Sequence, residues 1–294
     1  MKHLFFAIAS PILSSVLTIF KTRAIKLLDV PTFLFFNALF GFLTLLAFLG
    51  LKKEKLDFDK IKDNKKELFS LISTRYIIAD IILVLGLSQT EAIKAIFFTK
   101  AEPYFVLFWH WLINKEKVKP AHLLLLAIHI FGAILLSTGG IFTGVGAPQI
   151  GDFAIILAMG FYSYSYFPAS RLVKTIGPQI SNMLGLLVAG IFFLPVFFIF
   201  SGSHVFRFSE GWLYLILQAV LLTSVSLTLW FASLKSVKEW IVSSLRAVGP
   251  LVGAPFAFFF FGETLSPVQI VGAGIVLTTS FLIAREHLKT NRNR

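Results

Sequence analysis

The chain has 294 residues, of which 56% are hydrophobic and only 14% are charged, and its mean hydropathy is +0.82. A soluble domain is about 45–50% apolar and about 25% charged, so this composition excludes an ordinary soluble protein and places most of the chain in lipid. The net charge of +12 does not indicate nucleic acid binding, because the charges lie between long apolar runs, and the absence of cysteine excludes a disulfide framework and a thiolate metal site.

Ten apolar runs of helical length follow one another along the chain. Most have about 18–22 residues, which matches a hydrocarbon core of about 30 Å at 1.5 Å per helical residue. An open sheet would leave backbone groups unpaired in lipid, and the alternating pattern of a barrel is missing. The predicted spans are 3–20, 31–51, 68–87, 92–113, 121–139, 150–169, 180–201, 211–232, 240–261 and 267–284. We therefore predict an all-α integral membrane protein with ten transmembrane helices.

The two halves of the chain repeat each other. A displacement of 147 residues carries Glu116 onto Glu263, Pro120 onto Pro267, Pro103 onto Pro250 and Pro31 onto Pro178. Each copy holds five spans, and an odd number of crossings leaves the second copy upside down relative to the first. We predict two inverted five-helix repeats, residues 1–148 and 149–294, with a solute site between them.

The distribution of Lys and Arg predicts the orientation. With the N-terminus inside, nineteen of these residues lie in the cytoplasmic segments and four in the outside segments. Lys21, Arg23 and Lys26, in the first outside loop, are the discordant group. We predict a multi-pass protein of the cytoplasmic (inner) membrane with both termini in the cytoplasm.

The motifs that repeat also resemble a known family. An apolar helix with a proline in its middle ends near a Glu, and a second proline opens the next helix: Pro103, Glu116 and Pro120 in the first half, and Pro250, Glu263 and Pro267 in the second, followed by Gly272-Ala273-Gly274. This pattern resembles the EamA-type carriers of the drug/metabolite transporter superfamily over roughly residues 3–285. The resemblance implies ten spans in two inverted repeats, and a solute cavity enclosed by spans three, four, eight and nine with parts of one and six. The first half departs from the family pattern by carrying Lys94, Lys100 and Glu102 in its fourth span.

Charged residues inside the spans are the main candidates for solute binding. They are Arg75 and Asp80 in the third span, Lys94, Lys100 and Glu102 in the fourth, and Arg246 in the ninth. Each costs about 2.5–3.5 kcal/mol at the bilayer centre, so a function is expected for them. Four are cationic and two anionic, and the surplus favours an anionic or carboxylate-bearing solute. The alternative is that Arg75 and Lys94, near span ends, reach the headgroup region.

The two carboxylates have further possible roles. Asp80 is deep enough in its span to form an ion pair with Lys100. Asp80 and Glu102 are also candidates for coupling a proton, because a carboxyl group in a low-dielectric site can exchange protons near neutral pH. A static ion pair explains the same residues.

Aromatic residues and prolines complete the candidate site. Tyr162, Tyr166 and Trp230 are predicted to stack on a planar or cationic solute, or alternatively to form an aromatic belt. Pro103 and Pro250 are predicted hinges, because a proline inside a helix removes one backbone hydrogen bond.

Other polar residues are predicted to be structural. Hydroxyl stripes such as Ser10, Ser14 and Thr18 more often pack helices together than bind ligand. Asp152 is predicted to cap the sixth span, while Glu116 and Glu263 are predicted to be structural.

The sequence favours a secondary active transporter that moves a small polar metabolite, with an amino acid or related carboxylate preferred, by alternating access. No GxxxxGK[ST] motif occurs, so no ATP-hydrolysing site is expected, and neither is an enzyme activity, a metal or a cofactor. The alternatives are a flippase for lipids or lipid-linked sugars and, less favoured, a membrane-embedded enzyme. The expected partners are a small-molecule solute, a coupling proton or counter-solute and membrane lipid, with no nucleic acid, in a monomer or homodimer.

Overall fold

The computed structural model describes residues 2–53, 56–115, 120–139, 149–201 and 209–292. Its regular secondary structure within these ranges is helical. The ten long helices are α1 Lys2–Leu27, α2 Val30–Lys52, α3 Lys65–Ser88, α4 Ala92–Asn114, α5 Pro120–Thr138, α6 Ile150–Thr175, α7 Pro178–Phe200, α8 Glu210–Leu234, α9 Glu239–Phe261 and α10 Pro267–Arg292. A short helix, Phe58–Asp63, lies between α2 and α3. All ten predicted spans therefore coincide with helices.

Five of the helices are long and apolar enough to cross a membrane. They are His3–Leu27, Val30–Lys52, Lys65–Ser88, Pro178–Phe200 and Glu210–Leu234, with mean hydropathies between 1.8 and 2.7. Shorter apolar helices cover Pro120–Leu136, Pro250–Phe260 and Pro267–Thr279. Large apolar side chains such as Phe198, 72% exposed, and Phe259, 77% exposed, cover the outer surface. Such a surface is compatible with lipid rather than with water.

The helix ends are set by local chemistry. Asp29 caps α2 by accepting a hydrogen bond from the Thr32 backbone amide at 2.7 Å, and Pro31 occupies the first turn. Pro178 has the same place in α7, so these two repeated prolines begin helices, where a missing N–H costs nothing. The predicted cap at Asp152 is confirmed, since it forms a capping box with Gln149 at the start of α6.

The long helices pack in a regular pattern. α2 packs against α7 and α5 against α10, while α1 packs on α8 and α9 and α6 packs on α3 and α4. The α5–α10 contact is so close that a Cβ atom added to Gly272 would lie 2.6 Å from the Leu136 backbone nitrogen. Each half thus covers helices of the other, and the space between them is bordered by α1, α2, α3, α4, α6, α8 and α9.

Four of the helices that border this space are irregular there. α3 contains a π-helical segment, Ile72–Ala79, and α8 contains another, Gln218–Ser226. α4 consists of Ala92–Phe98, the 3-10 turn Thr99–Ala101 and Glu102–Asn114, and α9 of Glu239–Leu245, the 3-10 turn Arg246–Val248 and Pro250–Phe261. Such irregular segments are frequent at functional sites, because they redirect side chains and leave backbone groups available.

Candidate functional site

A polar cavity opens in the middle of the helices that border the central space. It encloses about 870 Å³ of empty volume, counted to include its opening. Its charged and aromatic lining consists of Lys21, Arg75, Tyr76, Asp80, Glu102, Tyr162, Trp230 and Arg246. Ser10, Ser14, Thr18, Asn37, Thr99, Gln218, Thr223 and Ser226 supply its uncharged polar groups.

Arg75 projects from the π-helical segment of α3 between two aromatic rings. Its guanidinium carbon lies 4.0 Å from the centroid of the Trp230 ring and 5.0 Å from that of Tyr162. One terminal nitrogen, Nη1, donates a hydrogen bond to the Ser165 hydroxyl at 3.1 Å. Among the described residues no carboxylate lies within 4 Å of Arg75, so cation–π contacts hold this side chain in place of an ion pair.

Asp80 lies one helical turn further along α3 and has two partners. Its Oδ1 atom accepts a short hydrogen bond from the Tyr162 hydroxyl and lies 3.5 Å from the Lys21 ammonium. The predicted pairing of Asp80 with Lys100 is therefore wrong. Lys100 lies on another face of α4, whereas α1 brings Lys21 to Asp80 across the cavity.

Glu102 and Arg246 form a tight ion pair between the two halves. The Arg246 Nε atom lies 2.6 Å from Oε2 of Glu102, and the Glu102 side chain is only 2% exposed. Both residues lie at the irregular turns of α4 and α9, so the pair joins these two helices at the point where a 3-10 turn interrupts each of them.

A network of neutral polar side chains forms another part of the cavity wall. The Tyr76 hydroxyl donates to Asn182 at 2.7 Å, and the Asn182 amide donates to the Thr223 carbonyl at 2.9 Å. The Thr223 hydroxyl lies 2.9 Å from the Asn37 side-chain oxygen and 3.0 Å from that of Gln218. The network links α2, α3, α7 and α8, and the sequence gives no periodic signal for it.

Six of the nine predicted solute-binding residues share this cavity: Arg75, Asp80, Glu102, Tyr162, Trp230 and Arg246. The other three do not line it. Lys94 is buried near the start of α4, 3.7 Å from Glu91. Lys100 is buried and interacts electrostatically with Glu102 and Arg246. Tyr166 is fully buried, with its ring edge-on to Trp230 at a centroid distance of 4.7 Å.

Lys21 is the charged residue of the cavity that the sequence interpretation missed. It was assigned to an outside loop, but α1 continues to Leu27 and the Lys21 side chain is buried. The signal was present, because Lys21 follows Ser10, Ser14 and Thr18 on one helical face at spacings of four, four and three residues. These three hydroxyls also line the cavity, although Ser14 and Thr18 donate to backbone carbonyls of their own helix.

Pro103 and Pro250 each follow a 3-10 turn and begin a new α-helical segment within α4 and α9. The helices are interrupted at the predicted positions, and the residues at the interruptions, including Thr99 and Arg246, line the cavity. Whether these positions move during a functional cycle stays a prediction.

Glu263 has a structural role other than closing the turn to α10. Its Oε2 atom accepts a hydrogen bond from the Ile93 backbone amide at 2.9 Å, at the start of α4. Its Oε1 atom lies 3.7 Å from the Arg23 guanidinium on α1. Glu263 therefore joins α9, α4 and α1 at one end of the molecule. Glu116, its predicted counterpart, lies outside the described residues.

A second cavity lies on another face of α4, between α4, α5 and α6. It has about 1,260 Å³ of empty volume, and its lining is mostly Phe, Ile, Leu and Ala, with Tyr104, His129 and Asp152 as its polar members. The described residues contain no group of three or more His, Asp or Glu side chains arranged to hold a metal ion. The Lys21–Asp80 and Glu102–Arg246 ion pairs and the stacked Arg75 thus belong to the central cavity and not to this second one.

Comparison with known proteins agrees with this architecture. A model of the EamA-like transporter family matches residues 1–138 and again residues 149–285. An "Uncharacterized transporter" of Methanothermobacter thermautotrophicus is 25% identical over 218 residues, which are 74% of this chain and 63% of that protein. The chain thus matches less than two thirds of the length of that relative.

Two further similarities extend the comparison. An "Uncharacterized transporter" of Archaeoglobus fulgidus is 25% identical over 203 residues, which are 69% of this chain and 71% of that protein. A protein of known crystal structure superimposes with a TM-score of 0.72 over 96% of each chain at 12% identity, which shows a shared fold. The apolar helices and the two family matches together describe a multi-pass membrane protein. Since the family model covers nearly all of the sequence, the chain belongs to the EamA-like transporter family.

Proposed function

We propose that this protein is a secondary active transporter that moves a small carboxylate-bearing metabolite, an amino acid or a close relative, across the cytoplasmic membrane. The observation that carries the proposal is Arg75, a cation in the central cavity with no carboxylate within 4 Å among the described residues. Arginine binds carboxylates with two parallel hydrogen bonds, and a planar guanidinium already held by two rings loses little freedom on binding.

The charges of the whole cavity support a solute that carries a carboxylate. Its lining carries three cations, Lys21, Arg75 and Arg246, and two carboxylates, Asp80 and Glu102. The two carboxylates are paired with Lys21 and Arg246, so Arg75 provides the surplus positive charge. A buried cation is costly, and a solute carboxylate placed beside Arg75 would compensate it.

The wall of the cavity favours a small polar molecule. Trp230 and Tyr162 offer flat apolar surfaces beside Arg75, while Asn37, Gln218 and Thr223 offer hydrogen-bonding groups on another wall. A site of this kind fixes orientation with a few polar groups and excludes water with aromatic ones.

Alternating access is the mechanism that we propose for movement. The cavity lies between helices of both predicted repeats, and the Glu102–Arg246 pair joins them at interrupted helices. Rocking of one five-helix repeat against the other would expose the cavity first on one side of the membrane and then on the other. The inverted relation of the repeats is part of this proposal.

Thermal stabilisation of the purified protein tests the solute class, because a ligand that binds only the folded state raises the melting temperature. Each L-amino acid is compared with the amine that lacks its carboxylate, in the wild type and in Arg75→Gln. We expect stabilisation by the acids alone, and only when Arg75 is present. Stabilisation by the amines, or equal stabilisation of Arg75→Gln, would reject a carboxylate solute.

Proteoliposomes then distinguish a solute carrier from a flippase. We expect uptake of the stabilising acid without scrambling of fluorescent phospholipids. The apolar second cavity is the feature that suits a lipid, so lipid scrambling without solute uptake would favour the flippase and reject the proposal.

A further inference from the structure

We infer that Asp80 is the carboxylate that takes up a proton when the cavity loads its solute, and that Lys21 controls this step. The inference rests on the proposed function for the solute that loads, but the protonation of Asp80 can be measured with no solute present.

The two carboxylates of the cavity differ in how firmly their charge is held. Glu102 is 2% exposed and lies 2.6 Å from Arg246, a guanidinium that does not give up its proton. Asp80 is 23% exposed and lies 3.5 Å from Lys21, beyond the 2.7–2.9 Å of a strong charged hydrogen bond. Asp80 therefore has the weaker ion pair and the better access to water, which an exchanging carboxylate needs.

The charged and titratable groups around Asp80 come from three helices. Lys21 reaches it from α1 and Tyr162 from α6, while Arg75 and Tyr76 lie on its own helix. The Tyr76 hydroxyl is occupied with Asn182, and Arg75 contacts the rings of Tyr162 and Trp230. From α2 the polar residue that lines the cavity is the neutral Asn37. Lys21 is therefore the cation in direct contact with Asp80.

The arrangement makes the ion pair sensitive to movement and to solute. Asp80 is held from α1 and α6, which occupy equivalent positions in the two predicted repeats, so a shift between the repeats changes its contacts. A solute carboxylate that draws Lys21 away leaves Asp80 without its counter-cation, with the Tyr162 hydroxyl as its remaining described partner. Uptake of one proton from cavity water by the Asp80 carboxylate removes this unfavourable state.

Charge balance gives the same result for a solute that carries one net negative charge. The empty cavity carries one net positive charge, which a monovalent anion would cancel. A proton on Asp80 restores the original value, so the loaded and the empty cavity have equal charge. Solute anion and proton then move together without net charge transfer.

A carbodiimide tests the protonation of Asp80. Dicyclohexylcarbodiimide is apolar and reacts with protonated carboxyl groups, and peptide mass spectrometry locates the adduct. In the purified full-length protein without solute we expect labelling of Asp80 that falls as the pH rises, while Glu102 in the same sample stays unlabelled. Lys21→Gln should increase labelling of Asp80 at neutral pH by about tenfold, because the opposing charge is removed.

Two variants provide controls. Lys21→Arg keeps the cation and should label at the level of the wild type, and Asp80→Asn should lose the adduct. The inference is overturned by labelling of Glu102 in place of Asp80, by labelling that does not change with pH, or by equal labelling of Lys21→Gln and the wild type. If the labelling is as expected and no acid stabilises the protein, only the proposed solute class fails.

Discussion

Arg75 shows how one side chain defines the chemistry of the cavity. Its guanidinium lies over the rings of Trp230 and Tyr162, and only Ser165 among the described side chains accepts a hydrogen bond from it. Its Nε is buried without a hydrogen-bond acceptor, and in the proposed function a solute carboxylate supplies an acceptor to the guanidinium. Binding of a carboxylate by Arg75 would depend on shape as well as charge, because the two rings fix the orientation of the planar guanidinium and its N–H groups lie along its edge.

Replacement of Arg75 by lysine tests this dependence on shape. Lysine keeps the charge, but its ammonium cannot form two parallel hydrogen bonds to a carboxylate, so we expect binding of the stabilising acid to weaken by about tenfold. Titration calorimetry on the purified variant measures this loss. An unchanged dissociation constant would show that Arg75 acts only as a point charge.

The residue scale also shows the limit of prediction from sequence. Arg75, Asp80, Glu102 and Arg246 were candidates because they are charged residues inside apolar spans. A charge in the membrane costs free energy, so its presence indicates a function. Their partners could not be deduced in the same way. Lys21 and Asp80 are 59 positions apart in the chain and meet only because α1 and α3 approach each other across the cavity.

A glycine beside the cavity wall allows a sharp test of packing. A Cβ atom added to Gly185 on α7 would lie 2.3 Å from a carbon of the Tyr76 ring, a distance that forces the ring to move. Gly185→Ala should therefore displace Tyr76 from Asn182 and destabilise the protein by about 1–3 kcal/mol, as overpacking does. The melting temperature in detergent measures the effect.

The matched control lies on the same helix. At Gly190 the nearest atom to an added Cβ is the Ala38 Cβ at 3.9 Å, an ordinary contact. Gly190→Ala should be neutral or slightly stabilising, because alanine favours the helix. Equal melting temperatures for the two variants would show that the Tyr76 ring can move without cost.

At the scale of helices, hydropathy predicted where elements lie better than where they end. The first span was predicted to end at residue 20 and the sixth at residue 169, but α1 continues to Leu27 and α6 to Thr175. Hydropathy reports contact with lipid, whereas a helix continues for as long as its backbone hydrogen bonds do. This difference matters for function, because Lys21 was predicted to lie in a loop, whereas the longer helix α1 places it in the wall of the cavity.

Some of the irregular helical segments could be predicted from the sequence, and others could not. The prolines predicted the interruptions in α4 and α9, since they remove a backbone hydrogen bond. The π-helical segments Ile72–Ala79 and Gln218–Ser226 contain no such residue and could not be predicted from composition. They depend on tertiary contacts such as that of Ser224, whose hydroxyl donates to the Gly41 carbonyl at 3.1 Å.

The junction at Glu263 gives a prediction for whole helices. Glu263→Ala removes the acceptor for the Ile93 amide and the ion pair with Arg23, so we expect a loss of about 1–2 kcal/mol in stability. Glu263→Gln retains an acceptor and should lose less. Thermal unfolding of both variants separates the hydrogen bond from the charge.

Glu91 provides the comparison for this junction. It lies at the start of the same helix, but its side chain is 50% exposed and caps no backbone amide. Glu91→Gln removes the charge but keeps an oxygen that can accept from the buried Lys94, 3.7 Å away, so it should change the melting temperature little. If it matches Glu263→Ala, the effect comes from general negative charge near α4, not from the junction.

For the whole molecule, the arrangement in the membrane is the property on which transport depends. The family model matches each half of the chain. Helix α1 of the first half packs on α8 and α9, and α6 of the second half packs on α3 and α4, so each half is in contact with helices of the other. Two oppositely oriented halves of this kind allow a cavity between them to open to either side of the membrane. Orientation is therefore the global property to establish by experiment.

The absence of cysteine makes the natural chain a background for orientation mapping. Lys26, at the end of α1, and Lys62, in the short helix after α2, are both exposed, so Lys26→Cys and Lys62→Cys should be tolerated and accessible. With both termini in the cytoplasm, a charged, membrane-impermeant maleimide added to intact cells should label Lys26→Cys alone. Disruption of the membrane should then allow labelling of Lys62→Cys as well. Labelling of Lys62→Cys alone in intact cells would reverse the predicted orientation, and labelling of both would contradict the crossing of the membrane by α2.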